Sequence, residues 1–173
     1  MLILIDVASR LVQYMANRSL WLDESCLALK ILHRSLGQLL EPLDYGQAAP
    51  LAFLMVEKQT SPLAFLIVEK LVTQIFGSSE YALRFFPLVC SIVSLFLFYN
   101  ITKRLLSPRG ISLALTLFAV SWPLIYYSSE LKQYSSDVTV ALSLYSVALY
   151  ALQQNRAGIF PFVLFSTASS IAM

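Results

Sequence analysis

The sequence predicts an all-α protein, a polytopic membrane helical bundle with amphipathic helices on its outer face. Three observations predict it. Apolar residues fill 58% of the 173 positions and charged residues only 13%, about half the charged share of a soluble domain. Residues 85–102, 110–129, 138–155 and 157–173 each lack Asp, Glu, Lys, Arg and His, and each comes near the ~18 apolar residues that mark a membrane-crossing helix. Lys103, Arg104 and Arg109 cluster between the first two blocks and Arg156 between the last two, whereas the connector after residue 129 holds Glu130, Asp137 and a single Lys132.

Basic residues mark the cytoplasmic side of short loops. Block 85–102 therefore runs from outside to inside, 110–129 returns, 138–155 goes in again, and 157–173 heads out. Trp122, Tyr126 and Tyr127 then fall near the outer interface, where amphipathic aromatics are favoured. A net charge of +2 gives no sign of nucleic-acid binding. Cys26 and Cys90 are isolated, so neither a disulfide framework nor a zinc site is indicated.

Taken in order, residues 1–16 read as the end of a first spanning helix whose beginning is missing. The opening "MLILIDVASR" carries no basic leader and is not a signal peptide. Residues 17–49 form an outer loop with an amphipathic helix. Leu29, Leu32, Leu36 and Leu39 step by three and four while Lys30, His33, Arg34 and Gln38 take other faces, which suits a helix lying flat on the bilayer. Pro42, Asp44 and Gly46 occupy turn positions after it.

Residues 50–81 contain a phrase said twice: Pro50–Lys58 and Pro62–Lys70 match at eight of nine positions, Met55 being replaced by Ile67. A spanning helix over 51–70 would bury Glu57 and Lys58 at about 2.5–3.5 kcal/mol each, and Pro62 would break its hydrogen-bond ladder. The segment is expected to be juxtamembrane or re-entrant and not to cross. A twelve-residue offset turns a helix face by about 120°, so the copies share no buried stripe and read as a short tandem duplication. Residues 82–173 hold four spanning helices, the last cut short by the chain end.

Several residues could carry chemistry. An Asp such as Asp23, just ahead of a helix, commonly caps it, and Asp44 beside Gly46 suits a turn. Glu130, Lys132 and Asp137 make an ordinary wet loop with an ion pair contributing at most ~1 kcal/mol. His33 has no partner at metal spacing. What raises the acidic residues above these readings is convergence. Asp23, Glu24, Asp44, Asp137 and Lys132 all fall on one side of the membrane. Such a set suits reaction on a phosphorylated lipid, the cation holding phosphate while a carboxylate takes the proton of an attacking hydroxyl.

The runs "SLWLDE", "FGSSEYALRFFPL" and "WPLIYYSSELKQYSSDV" resemble family 39 membrane glycosyltransferases, which include the dolichyl-phosphate-mannose protein mannosyltransferases and the bacterial lipid A aminoarabinose transferases. The resemblance runs from about residue 8 to the end and covers the N-terminal third of such an enzyme. It implies a GT-C-type fold, a polyprenyl-phosphate-sugar donor, and inversion at the anomeric centre on the outer face. By motif match Asp23 would be the general base, Glu24 its neighbour in the site, and Asp137 a second carboxylate of the catalytic cavity. Asp44, Glu130, Lys132 and Tyr134 are the expected substrate-binding set, Lys132 facing the lipid phosphate. No cofactor is expected; a divalent ion shared by Asp23 and Asp137 stays open, because carboxylates alone give no ligand count.

The partners implied are the lipid-linked sugar donor, membrane lipids, and an acceptor hydroxyl on a protein, lipid or glycan. The location implied is a bacterial plasma membrane, with the active face outward. The 173 residues are expected to be an N-terminal fragment, inactive in isolation. Two rivals stand beside this reading: a transporter or flippase segment for lipid-linked sugars, and a non-functional truncated remnant. The absence of ionisable residues from the four apolar blocks weighs against a transport path.

Overall fold

The computed structural model describes residues 1–40 and 62–153. Every regular element within them is helical, as the sequence predicts. The helices are α1 (Leu2–Met15), α2 (Leu22–His33), α3 (Leu63–Phe76), α4 (Glu80–Leu105), α5 (Pro108–Ala119), α6 (Trp122–Tyr126) and α7 (Tyr134–Gln153), with 3-10 turns at Gln38–Leu40 and Tyr127–Ser129. The first copy of the duplicated phrase, Asp44 and the apolar block 157–173 lie outside the described residues.

α4 is the axis of the bundle. The Ser79 hydroxyl accepts the Ala82 N–H at 3.2 Å to cap its start, with Glu80 in the first turn and Lys103 and Arg104 in the last, the signs that suit the helix dipole. Gly77, at φ +87°, makes the turn out of α3, a backbone angle that a side chain would strain. At 26 residues α4 is about 39 Å long, more than a ~30 Å hydrocarbon layer needs.

α5 starts with Ser107 as its cap and Pro108 in its first turn, where the missing proline N–H costs nothing. It does not continue straight. The chain breaks at Val120–Ser121, and Trp122–Ser129 leaves at 57°, because Pro123 cannot supply the N–H that would carry the ladder across. The second apolar block is thus two helical pieces. Among the described residues two helices, α4 and α7, are long and apolar enough to cross a membrane, and the bent pair makes a third if counted as one span.

α4 and α7 pack along each other and run parallel. The Thr139 hydroxyl donates to the Cys90 carbonyl at 2.7 Å, and Arg104 donates to the Gln153 side-chain oxygen at 3.1 Å. Lys103 and Arg104 therefore sit at the opposite end of α4 from Glu80 and from the start of α7.

α2 docks on protein, and with a different face from the expected leucine stripe. Glu24, Leu27, Ala28 and Ile31 are buried; of the expected stripe Leu29 is 55% exposed and Leu32 half-buried, and because α2 stops at His33, Leu36 and Leu39 lie beyond it, the first exposed and the second buried in the 3-10 turn. Leu27, Ala28 and Ile31 pack with Phe65 and Leu66 of α3, Leu83 of α4 and Leu131 of the connector. The Lys70 ammonium donates to the Ile31 and Leu32 carbonyls at 2.7 and 3.0 Å, meeting acceptors that the end of α2 leaves open.

This core generates a stability prediction. Ile31→Ala, at a fully buried position, is expected to cost about 2–4 kcal/mol, while Leu29→Ala stays within about 0.5 kcal/mol. Reversible denaturation in mild detergent measures both; equal losses would mean that α2 rests on the bilayer and not on α3.

Candidate active site

The chain from Trp21 into α2 forms one wall of the site. α2 begins at Leu22 with Trp21 as the cap residue, so Asp23 lies inside the first turn. The cap is closed from three residues on: the Glu24 carboxylate accepts the Trp21 N–H at 3.0 Å, half of a capping box. Asp23 accepts the N–H of Glu24 at 3.0 Å and keeps its other oxygen for a partner outside the helix.

That partner comes from the connector between the 3-10 turn and α7. Lys132 Nζ lies 2.5 Å from Asp23 Oδ2. One residue earlier, the Leu131 backbone N–H donates to Glu24 Oε1 at 2.6 Å. Two stretches 107 residues apart are thus joined by adjacent carboxylates, one to a backbone N–H and one to a side-chain ammonium. Glu24 is fully buried. Arg84 of α4 approaches its second oxygen at 3.8 Å, supplying the positive charge that a buried carboxylate needs.

Glu130 is buried next to this group. Burial pushes its carboxyl above the ordinary value and the Glu24 charge adds to that, opposed by a hydrogen bond from Tyr126 and by the Arg84 and Lys132 charges. Partial burial would also raise Asp23, but the Lys132 hydrogen bond and charge outweigh it and hold Asp23 below its ordinary value. For Lys132, partial burial lowers and the Asp23 hydrogen bond and charge raise, and the net direction is up. The pair therefore favours its charged form on both sides.

Tyr134 opens α7 with its ring 4.5 Å from that of Tyr127, and both line a cavity of about 180 Å³ with Ser91, Ser94 and Leu124. Trp122, Tyr126 and Tyr127 continue the aromatic row, and the Arg18 guanidinium lies 5.6 Å from the Tyr126 ring centre.

Asp23, Glu24, Glu130 and Lys132 are brought together; Asp137 does not join them. It stands in the first turn of α7, about 200° round the helix from Ser135, whose buried hydroxyl donates to the Tyr127 carbonyl at 2.7 Å. The Asp137 carboxylate is exposed. Arg84 and the Leu131 N–H are the participants that sequence reasoning missed. Arg84 was discoverable: a lone Arg inside "FGSSEYALRFFPL" at the head of an apolar helix requires a buried acid nearby. The Leu131 N–H carries no signal, because every residue but proline has one.

Comparison with known proteins adds one finding. The sequence model of the dolichyl-phosphate-mannose-protein mannosyltransferases matches residues 59–173, two thirds of the chain. The matched span holds Arg84, Glu130, Lys132 and Asp137 and starts after Asp23 and Glu24. Neither a curated protein nor a solved structure gives a significant match. With its apolar helices and that match, the chain belongs to the dolichyl-phosphate-mannose-protein mannosyltransferase family and is a membrane glycosyltransferase of the mannosyltransferase type.

Proposed function

We propose that the protein moves a sugar from a polyprenyl-phosphate donor to an acceptor hydroxyl, with inversion, at the outward face of a bacterial plasma membrane. The observation that carries this reading is the 2.5 Å contact between Asp23 and Lys132. It supplies a proton acceptor and a phosphate-binding cation at one point, at the end of α4 remote from Lys103 and Arg104. Those basic residues are the mark of the cytoplasmic side, which supports the outward assignment.

In this mechanism the donor phosphate draws Lys132 away from Asp23. Loss of that partner raises Asp23 toward its ordinary value and makes it a better base. The acceptor oxygen attacks the anomeric carbon, its proton passes to Asp23, and the bond from that carbon to the phosphate oxygen breaks. The departing polyprenyl phosphate takes both bonding electrons and is stabilised by Lys132. Glu24 holds the geometry, since its oxygens are engaged by Trp21, Leu131 and Arg84. Glu130 and Tyr134 border the sugar and the first isoprene units, and Asp137, exposed beyond them, is the second carboxylate on the acceptor side.

Asp23→Asn is expected to lower transfer roughly 10²- to 10⁴-fold, the usual contribution of a general base. Sugar transfer from a polyprenyl-phosphate donor in proteoliposomes measures it, and a wild-type rate would remove Asp23 from the reaction. Donor movement across the vesicle with no transfer product would instead establish a flippase.

The pH profile provides a second test. A depressed carboxyl keeps its basic form at high pH and loses it as pH falls through the lowered value. In the free protein Lys132 holds that value below the ordinary carboxylate range, so the acid limb of kcat/KM is expected at lower pH than the limb of kcat, which is set by the donor complex. Lys132→Met should raise the donor KM and move the kcat/KM limb upward; an unmoved limb would show that Lys132 does not control Asp23.

A further inference from the structure

α1 carries two ionisable residues one helical turn apart, Asp6 and Arg10, with relative exposures of 1% and 0%. They pair as a fork: Arg10 Nε donates to Asp6 Oδ1 at 3.0 Å and Nη2 to Oδ2 at 3.2 Å. The remaining nitrogen, Nη1, reaches out of the helix. It donates to the Ser91 hydroxyl of α4 and to the Leu124 carbonyl at 3.1 Å. The guanidinium also lies 5.6 Å from the Phe118 ring centre of α5. One side chain thus touches α4, α5 and α6 from α1.

A buried ion pair is poor evidence of stabilisation, because apolar residues of similar size commonly do as well or better. What distinguishes this one is where its spare donor ends. Leu124 lies just past the break in the bent span, where Pro123 lacks an N–H. At Tyr127 the chain tightens to a 3-10 turn, giving up the i to i+4 ladder. The segment keeps local bonds, Leu124 and Ile125 N–H to the Ser121 carbonyl and Tyr127 N–H to the Pro123 carbonyl, and the Arg10 bond to the Leu124 carbonyl ties it to α1 as well.

The run that follows is tied again at Leu131, whose N–H bonds to Glu24, and braced at Tyr127 by the Ser135 hydroxyl. Lys132 is the next residue. Arg10 and Glu24 therefore hold the segment at two points seven residues apart, Leu124 and Leu131, which together set where Lys132 emerges.

We propose that Arg10 is a positioning residue for the reaction centre. By holding the Leu124 carbonyl to α1 and α4, it fixes the 124–132 segment so that Lys132 faces Asp23. The functional meaning rests on the transfer reaction proposed above; the positioning itself is a claim about geometry and has its own readout. Of the other charged groups near the segment, Arg84 pairs with Glu24, Arg18 lies on the Tyr126 ring and Glu130 interacts with Tyr126; Arg10 is the one that bonds the Leu124 carbonyl.

The test measures position without turnover. In the full chain in membranes, with Cys26→Ser and Cys90→Ala, one reporter pair is Asp23→Cys with Lys132→Cys. The reference pair is Arg104→Cys with Gln153→Cys at the far end of α4 and α7. A short bis-methanethiosulfonate spacer joins each pair, and the rate is compared in wild-type and Asp6→Leu/Arg10→Met backgrounds, the double change leaving no unpaired buried charge. The 23–132 rate is expected to fall roughly ten-fold, since the effective concentration of a held pair depends on ångström-scale placement, with the 104–153 rate unchanged. An unchanged 23–132 rate overturns the proposal. Equal loss at both pairs overturns it too, by making Arg10 a general strut of the bundle. Arg10→Lys keeps a charge beside Asp6 but has no fork, so it should show the same selective loss; full recovery with Lys would overturn the role given to Nη1. None of these results depends on Asp23 being the base, which the Asp23→Asn assay decides separately.

Discussion

The buried carboxylate of Glu24 is the contact from which the site is built. It closes the first turn of α2 by accepting the Trp21 N–H and captures the Leu131 N–H from the far connector at 2.6 Å. A carboxylate with no exposure to water must have its charge met inside the protein, and Arg84 of α4 meets it from 3.8 Å. Three segments thereby converge on one group. Asp23 and Lys132, each adjacent in sequence to a partner in that contact, are brought to 2.5 Å as a consequence.

The division of labour between the adjacent acids follows from burial. Glu24 is enclosed and engaged, so it holds shape. Asp23 is half-buried and paired with the Lys132 ammonium, the contact that the proposed mechanism opens. Exposed or half-exposed ion pairs contribute little to stability, which leaves Asp23–Lys132 free to serve chemistry at small cost to the fold. A similar contrast separates α2, seated on α3 through Leu27, Ala28 and Ile31, from its outward leucines, which add nothing to that seat.

The break in the second apolar block gives the connector its reach. A straight helix through 110–129 would carry Tyr126 and Tyr127 along the bundle axis. The 57° bend between Ala119 and Trp122 places Tyr127 beside Tyr134 in the cavity wall, with Tyr126 packed edge-on against Tyr127. Aromatic rings at this level suit a membrane–water boundary.

Composition, charge-free blocks and alternating basic turns were enough to determine an all-helical membrane protein, because the hydrophobic length of a crossing and the bias of Lys and Arg are written locally along the chain. The motif runs were likewise enough to indicate the family. Sequence periodicity showed neither that α2 stops at His33 nor that it seats Leu27, Ala28 and Ile31 against α3. It also could not show that Arg84 serves Glu24 or that Asp6 and Arg10 pair inside the bundle. Those outcomes depend on contacts between residues tens of positions apart, where a backbone N–H or a helix rotation decides what meets, and tertiary packing alone sets them.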